Sequence, residues 1–337
     1  MYLRKPFVLC ISLLLLLQAK NSSAGGIRRI IVNVDTGVDD YYALLLLLHA
    51  DNTGLLKIEG ILCSPGNTNT TNVIKNTVRL MELTNRTDIP VYKGINSSLI
   101  LHDDYYGYFG DDGLGDLSYD HEPNVNIVYP GLAATGLYDL VRSNPGEISL
   151  LCLAPLTDIA ITTKLYTDFL SYLKDMWILG GNYGPINQGD VGTEFNFYSD
   201  PEAARIVFEN QQERNIYILP FESFDKINFS WDWRFNVLQS TLPEMEIVTA
   251  AEKSLKFDQT KPFWNVPDVY LAFCCVFPEQ CYFDDIFKSA VIELQDSNTR
   301  GWLIFDKTNG VKNVKIINGL NQDQFENYML QVAGVKS

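Results

Sequence analysis

Short β-branched apolar runs alternate along the chain with longer stretches whose apolar residues recur every three or four positions. The pattern predicts strand 30–34, helix 39–50, strand 58–63, helix 70–84 and strand 89–92. It continues with helix 130–142, strand 147–153, helix 156–164, strand 175–179, helix 200–210 and strand 215–219. Alternation of this kind specifies a parallel sheet, because parallel neighbours need crossovers and right-handed crossovers lay helices on both faces. Segments 97–124 and 181–198 carry Gly, Asp, Asn and Tyr without apolar periodicity and read as long loops, a length that usually serves function. Further on, 243–257 and 268–277 read as helices. Residues 291–294, 302–305 and 314–317 read as short strands of an excursion on the edge of the main sheet, and 322–332 as a closing helix. The expected fold class is α/β, an open and mostly parallel sheet flanked by helices, with a small C-terminal β/helical excursion.

The N-terminus changes the picture of where the chain works. Arg4 and Lys5 precede an apolar run over 7–17, and Ser22 and Ala24 are placed for cleavage before Gly25, so residues 1–24 read as a secretory signal peptide. The remainder, 25–337, is expected to be one domain, since no Pro/Ser linker or internal repeat divides it. The leader's apolar core is too short to span a bilayer and no later segment is long enough, so the expected product is exported, extracellular and free of the membrane. Cleavage would remove three cations and no acid, taking the formal charge from −15 to −18 and disfavouring nucleic acid as a partner. Five cysteines would remain: Cys63, Cys152, Cys274, Cys275 and Cys281. An odd count leaves at least one thiol unpaired or bridging another chain. Cys63 and Cys152 near strand ends read as buried fillers, whereas Cys281 can pair with either Cys274 or Cys275 across the turn at Pro278. Sequons at Asn69, Asn85, Asn96 and Asn228 fit an exported glycoprotein.

Candidate chemistry is concentrated after the strands. Asp35, Asp39 and Asp40 fall within six residues after strand 30–34, with Gly37 allowing the turn. Three carboxylates so close need a compensating hard cation or a hydrogen-bonding polyol. Alternatively, Asp39 and Asp40 simply occupy a helix's first turn, where the macrodipole favours anions. Gly66-Asn67, Pro155-Leu156-Thr157-Asp158 and Gly180-Gly181-Asn182 follow three other strands. Four strands thus deliver polar loops to the carboxyl edge of one sheet, where open α/β folds bind ligands.

These residues resemble the nucleoside hydrolases, calcium-dependent N-ribohydrolases of the inosine-uridine type, over nearly the whole mature chain. That family opens with an Asp-x-Asp-x-Gly-x-Asp-Asp turn, and Asn33-Val34-Asp35-Thr36-Gly37-Val38-Asp39-Asp40 matches it except at the first position. Gly66-Asn67 resembles its second loop, and Gly110-Asp111-Asp112-Gly113-Leu114-Gly115 its His-Gly-x-x-Gly-x-Gly loop. Ala154-Pro155-Leu156-Thr157-Asp158-Ile159-Ala160 resembles its Gly-Pro-Leu-Thr-Asn-Ile-Ala segment. Glu194-Phe195-Asn196 followed by Asp200-Pro201-Glu202-Ala203-Ala204 is the most specific match. The resemblance implies hydrolysis of the N-glycosidic bond of small-molecule ribonucleosides with Ca2+ as cofactor. Asp35, Asp40, the carbonyl of Leu153 and Asp268 would be calcium ligands, and Asp35 also the general base for the attacking water. Asp39, Glu194 and Asn196 would hold the ribose hydroxyls, with Phe195 between the last two. Asn67 would orient water or sugar, and Asn187, or Gln188 by strict spacing, would reach the 5′ side. Relatives often form dimers or tetramers, so a homo-oligomer is compatible with the resemblance. The leader makes the chain similar to the salivary purine nucleosidases of blood-feeding insects.

Three departures qualify these expectations. Asn33 replaces the usual first aspartate, Pro267 stands where many members place a leaving-group His or Trp, and Phe109 replaces the loop His. Phe109, Tyr105, Tyr106, Tyr108, Phe195 and Trp264 supply aromatic surface that would favour stacking on purines. A haloacid-dehalogenase-type phosphatase is disfavoured because its nucleophilic first Asp is Asn33 here. The remaining alternative is a secreted nucleoside-binding or growth-factor-like protein that has lost turnover.

Overall fold

Strand β1 (Arg28–Val34) begins with two half-buried arginines and continues with five fully buried residues. Continuous burial instead of alternation marks a strand in the middle of a parallel sheet covered on both faces. The computed structural model describes residues 26–100, 107–186, 192–210, 215–296, 298–306 and 311–335. The leader-like residues 1–24 and the candidates Tyr105, Tyr106, Asn187 and Gln188 therefore lie outside the described residues.

The other strands are β2 (Leu56–Cys63), β3 (Val91–Lys93), β4 (Ile148–Cys152), β5 (Met176–Leu179), β6 (Ile216–Leu219), β7 (Cys281–Phe283), β8 (Ser289–Ile292), β9 (Leu303–Asp306) and β10 (Val314–Leu320). The main sheet runs β3-β2-β1-β4-β5-β6-β10-β7, parallel throughout except at β7, which closes the edge antiparallel to β10. From β1 the chain winds outward through β2 and β3, then returns to β4 on the other side and winds the opposite way. The order thus reverses between β1 and β4, creating the crevice at the carboxyl ends that such sheets use for ligands.

Among the described residues the α-helices of five or more residues are α1 (Val38–Asn52), α2 (Thr70–Leu83), α3 (Ala133–Arg142), α4 (Thr157–Leu165), α5 (Phe195–Ser199), α6 (Pro201–Asn210), α7 (Pro243–Ser254), α8 (Pro267–Val276) and α9 (Gln322–Val332). Helix α1 is buried almost all round because it is wedged between the sheet and α7, α8 and α9. A buried ion pair of Arg234 and Glu252 (2.8 Å, both 1% exposed) ties the turn at 233–237 to α7, and Tyr42 of α1 and Trp264 also donate to Glu252. Removing one partner would strand the other's charge, so the pair specifies this packing. On the opposite face α3, α4 and α6 cover a second apolar cluster.

Three sequence expectations need correction. Segment 314–317 is no edge excursion but the start of β10, inside the main sheet between β6 and β7; only β8 and β9 form the separate ribbon. Strand β7 went unpredicted because three residues are too few to show a pattern and gain their pairing only from β10. The segment read as a loop over 181–198 contains α5, a single short helix without apolar periodicity. Cys281 pairs with Cys274, leaving Cys63, Cys152 and Cys275 buried as thiols. Among the described residues no helix is long and apolar enough to cross a membrane.

Candidate active site

The turn after β1 folds onto its own carboxylate. Asp40, in the first turn of α1, accepts the backbone N–H of Asp35 at 3.2 Å and of Gly37 at 3.1 Å, satisfying donors that the helix start leaves unpaired. Asp39 accepts the N–H of Asp40 at 3.1 Å. From the end of β2, Asn67 donates its backbone N–H to Asp35 at 2.6 Å and its side-chain amide to Asp40 at 3.2 Å. Two glycines make this closeness feasible. A Cβ on Gly66 would lie 1.9 Å from Asp35 Oδ2, and one on Gly37 would lie 2.6 Å from both Asn67 Nδ2 and Phe109 Cδ2.

Asp268 arrives from the far end of the sequence, in the first turn of α8, behind a proline whose lost N–H costs nothing at the first helical position. Carboxylate oxygens of Asp39, Asp40 and Asp268 lie within 4.8 Å of one another. Asp35, Asp40 and Asp268 are 1%, 0% and 2% exposed, and Asp39, at 9%, faces the rim. Burial pushes Asp35 and Asp268 well above the ordinary carboxylate range, reinforced at Asp35 by Asp40 and at Asp268 by Asp39. Asp39 is raised to about 7 by burial and by Asp40's charge. Asp40 rises through burial despite its hydrogen bonds from Gly37, Asp35 and Asn67.

Among the described residues no lysine or arginine offsets this charge. Asp268 Oδ1 is buried without any hydrogen-bond partner. A set of hard oxygens at this spacing, with one orphaned, fits a divalent cation such as calcium, which binds oxygens at roughly 2.3–2.6 Å. The structure therefore brings Asp39, Asp40 and Asp268 together as an acidic cluster able to hold a metal, with Asp35 and Asn67 hydrogen-bonded beside it.

Leu153, Glu194 and Asn196 form a second network on neighbouring strand ends. Leu153 follows β4 and its N–H bonds the carbonyl of Asn33 in β1. Asn196 donates its amide to the carbonyls of Leu153 (2.7 Å) and Leu179 (3.2 Å). Glu194 caps α5, accepting the N–H groups of Gly181, Asn196 and Phe197. A carboxylate has about four lone-pair sites, so one on Oε1 remains for a ligand hydroxyl. Burial raises Glu194 while those amides pull it down. Phe195 sits half-buried at the start of the same short helix.

An aromatic cluster stands over Gly37. Phe109 packs edge-on against Tyr108 (4.8 Å between centroids) and Phe257 (5.9 Å), and Tyr108 lies 5.2 Å from Phe257. Lys261 Nζ sits 4.6 Å from the Tyr108 ring. Burial and the charge of Asp39 push the Tyr108 phenol up to about 12. Phe257 was missed because sequence placed it inside a helix; the only hint was its apolar side chain at that helix's end. Trp264, counted among the aromatics on sequence, is core: 1% exposed, bonded to Glu252 and packed on Tyr42, Phe229 and Trp233. The sequon asparagines Asn69, Asn85, Asn96 and Asn228 are all exposed. Asn69 caps α2 through its side-chain oxygen, accepting from Asn72.

Residues 30–327 match the family described as inosine-uridine preferring nucleoside hydrolase. The chain is 32% identical to probable uridine nucleosidase 2 of Oryza sativa subsp. japonica over 205 residues, 60% of this chain and 59% of that protein. It is 34% identical to uridine nucleosidase 1 of Arabidopsis thaliana over 183 residues, 54% of this chain and 53% of that one. The matched region thus spans little more than half the length of these curated relatives. Among solved structures, an inosine-guanosine nucleoside hydrolase superposes with a TM-score of 0.82 at 21% identity, covering 92% of this chain and 100% of the other, a likeness of fold.

Proposed function

The chain belongs to the inosine-uridine preferring nucleoside hydrolase family, and on that footing we propose that it hydrolyses the N-glycosidic bond of ribonucleosides to free base and ribose with calcium as cofactor. The observation that carries the reading is the convergence of Asp35, Asp39, Asp40 and Asp268 from turns more than two hundred residues apart, buried without a cation among the described residues.

Asp35, Asp40, Asp268 and the Leu153 carbonyl would hold the calcium ion, which would supply positive charge with only weak acidification of water. The protein's own groups do the rest. Asp35, fixed by the Asn67 N–H, takes the proton of the attacking water as general base. Asp39 at the rim and the free lone pair of Glu194 accept ribose hydroxyls, so 2′-deoxyribonucleosides should bind poorly. Asn196 holds the Leu153 carbonyl in place. Holding the sugar in one orientation converts the hydrolysis from a chance encounter into a positioned reaction.

The Tyr108, Phe109 and Phe257 cluster favours a purine base, which can stack on aromatic faces and leave once protonated. A second reading, uridine, is favoured by the names of the curated relatives, which are uridine nucleosidases. Incubating the purified protein with inosine, guanosine, adenosine, uridine and cytidine, with and without a chelator, and separating products by chromatography tests both. Ribose release abolished by chelation supports the proposal; no release from any nucleoside sinks it and leaves the binding-protein alternative. Export into the extracellular and salivary setting, with glycans on the exposed sequons, is proposed on the leader-like residues 1–24 alone.

A further inference from the structure

Beneath the acidic cluster, Ser64 Oγ lies 2.6 Å from Asn33 Oδ1 and 2.7 Å from Asp158 Oδ2. All three side chains are buried. A hydroxyl carries one hydrogen, so Ser64 cannot donate to both oxygens. Asn33 keeps its amide nitrogen 3.4 Å from the carbonyl of Pro155. Turning that amide round would face two acceptor oxygens, so the Asn33 oxygen is the one that looks at Ser64. The one Ser64 hydrogen is therefore contested by Asn33 and Asp158, within a chain that runs from the Asp158 carboxyl through Ser64 and Asn33 to Pro155. The other Asp158 oxygen accepts the Ile95 N–H at 3.0 Å. Burial pushes Asp158 up to about 6, while the hydrogen bonds from Ser64 and Ile95 pull it down.

This chain braces the strand ends that carry the site. Asn33 lies two residues before Asp35 and its backbone carbonyl holds the N–H of Leu153. Ser64 donates its N–H to the Val34 carbonyl and stands three residues before Asn67. Asp158 opens α4, and Ile95 follows β3. There is no room for bulk: a Cβ on Gly94 would lie 2.2 Å from Asp158 Oδ2.

We propose that Asp158, Ser64 and Asn33 are positioning residues for the acidic cluster, forming a hydrogen-bond chain that accommodates one carboxyl group and not two. The inference rests on the proposed function only in taking the cluster to be a calcium site. It follows that the carboxyl can be moved along the chain but not duplicated.

The test is a cycle in the full chain of Asp158→Asn, Asn33→Asp and the double variant, with Ser64→Ala. Calcium affinity is read by calorimetry and kcat and KM by nucleoside hydrolysis. Asp158→Asn keeps both links, its amide donating to Ser64 and its oxygen accepting from Ile95, and should hold calcium affinity within about threefold. Asn33→Asp sets two carboxyls against one hydroxyl and should weaken calcium binding about tenfold or more, whereas the double variant should recover most of that loss. A double variant as impaired as Asn33→Asp overturns the proposal, as do variants that lower the Tm while leaving calcium affinity and kcat unchanged. Should Asn33→Asp fail to fold, Ser64→Ala must weaken calcium binding and Asp158→Asn must not; equal effects overturn the proposal. Calcium affinity needs no substrate, so a protein that binds calcium but hydrolyses no nucleoside refutes the proposed function and leaves this cycle readable. A wild-type protein that binds no calcium overturns both.

Discussion

The side-chain amide of Asn196 donates to the carbonyl oxygen of Leu153 at 2.7 Å. The residue expected to grip the sugar is therefore also the one that fixes an oxygen expected to face the ion. Asn196→Ala should weaken calcium binding measured without substrate by about three- to tenfold, the scale of one lost buried hydrogen bond, as well as raising KM. Asn196→Asp should be worse, since it sets a carboxylate against two carbonyls. A change in KM alone, with calorimetric calcium affinity intact, would assign Asn196 to the sugar only.

Removing calcium should change how stability depends on pH. Burial holds all four acids above their ordinary value of 3.8, Asp39 at about 7. Between roughly pH 4 and 7 the folded metal-free protein keeps protons that the unfolded chain releases, so its stability falls as pH rises through that window. Bound calcium holds the acids ionised and should flatten or reverse the trend. Thermal melts from pH 4 to 8 with chelator and with calcium check the sign of each slope.

Asp268→Asn should have opposite effects in the two states. At a pH high enough to ionise Asp268 it removes one buried like charge, so there the chelated protein should melt a few degrees higher, about 1 kcal/mol for a chain of this size. It also removes a ligand, so the rise in Tm on adding calcium and the turnover should both be lost. A variant that melts lower without calcium would mean that Asp268 has a stabilising partner.

Phe257→Ala should discriminate between bases. Its ring braces Tyr108 and Phe109 over the turn at Gly37. If the purine reading holds, KM for inosine should rise about tenfold, the scale of one lost aromatic contact, with a smaller change for uridine. Equal effects on both would make the cluster a structural lid rather than a base-recognition surface.

Gly66→Ala should abolish activity more completely than it destabilises the fold. The new carbon would fall 1.9 Å from Asp35 Oδ2 and drive that carboxylate off the Asn67 N–H. Kinetics and circular dichroism on the same sample separate the two effects.

The central sheet was legible because its strands are uniformly apolar and its helices periodic, and Asp35, Asp39 and Asp40 because they crowd a single turn. Asp268 stood out only through resemblance, since one acid at the start of an apolar helix has an ordinary helix-dipole explanation. What pattern could not show was three-dimensional sharing. Phe257 looked like helix core, Trp264 looked like pocket, and nothing in Asn33, Ser64 and Asp158, spread over 126 positions of chain, announces that they surround one hydroxyl. Strand β7 was invisible because three residues have no periodicity until a partner strand defines it.

The Cys274–Cys281 bridge ties the end of α8 to β7, whose Cys281 pairs with Leu320 of β10. Asp268 lies six residues before Cys274 on the same helix, roughly 9 Å along a stiff rod. The fourth acid is thus aimed from the outer margin of the sheet, by a lever whose handle is the covalently tethered edge strand.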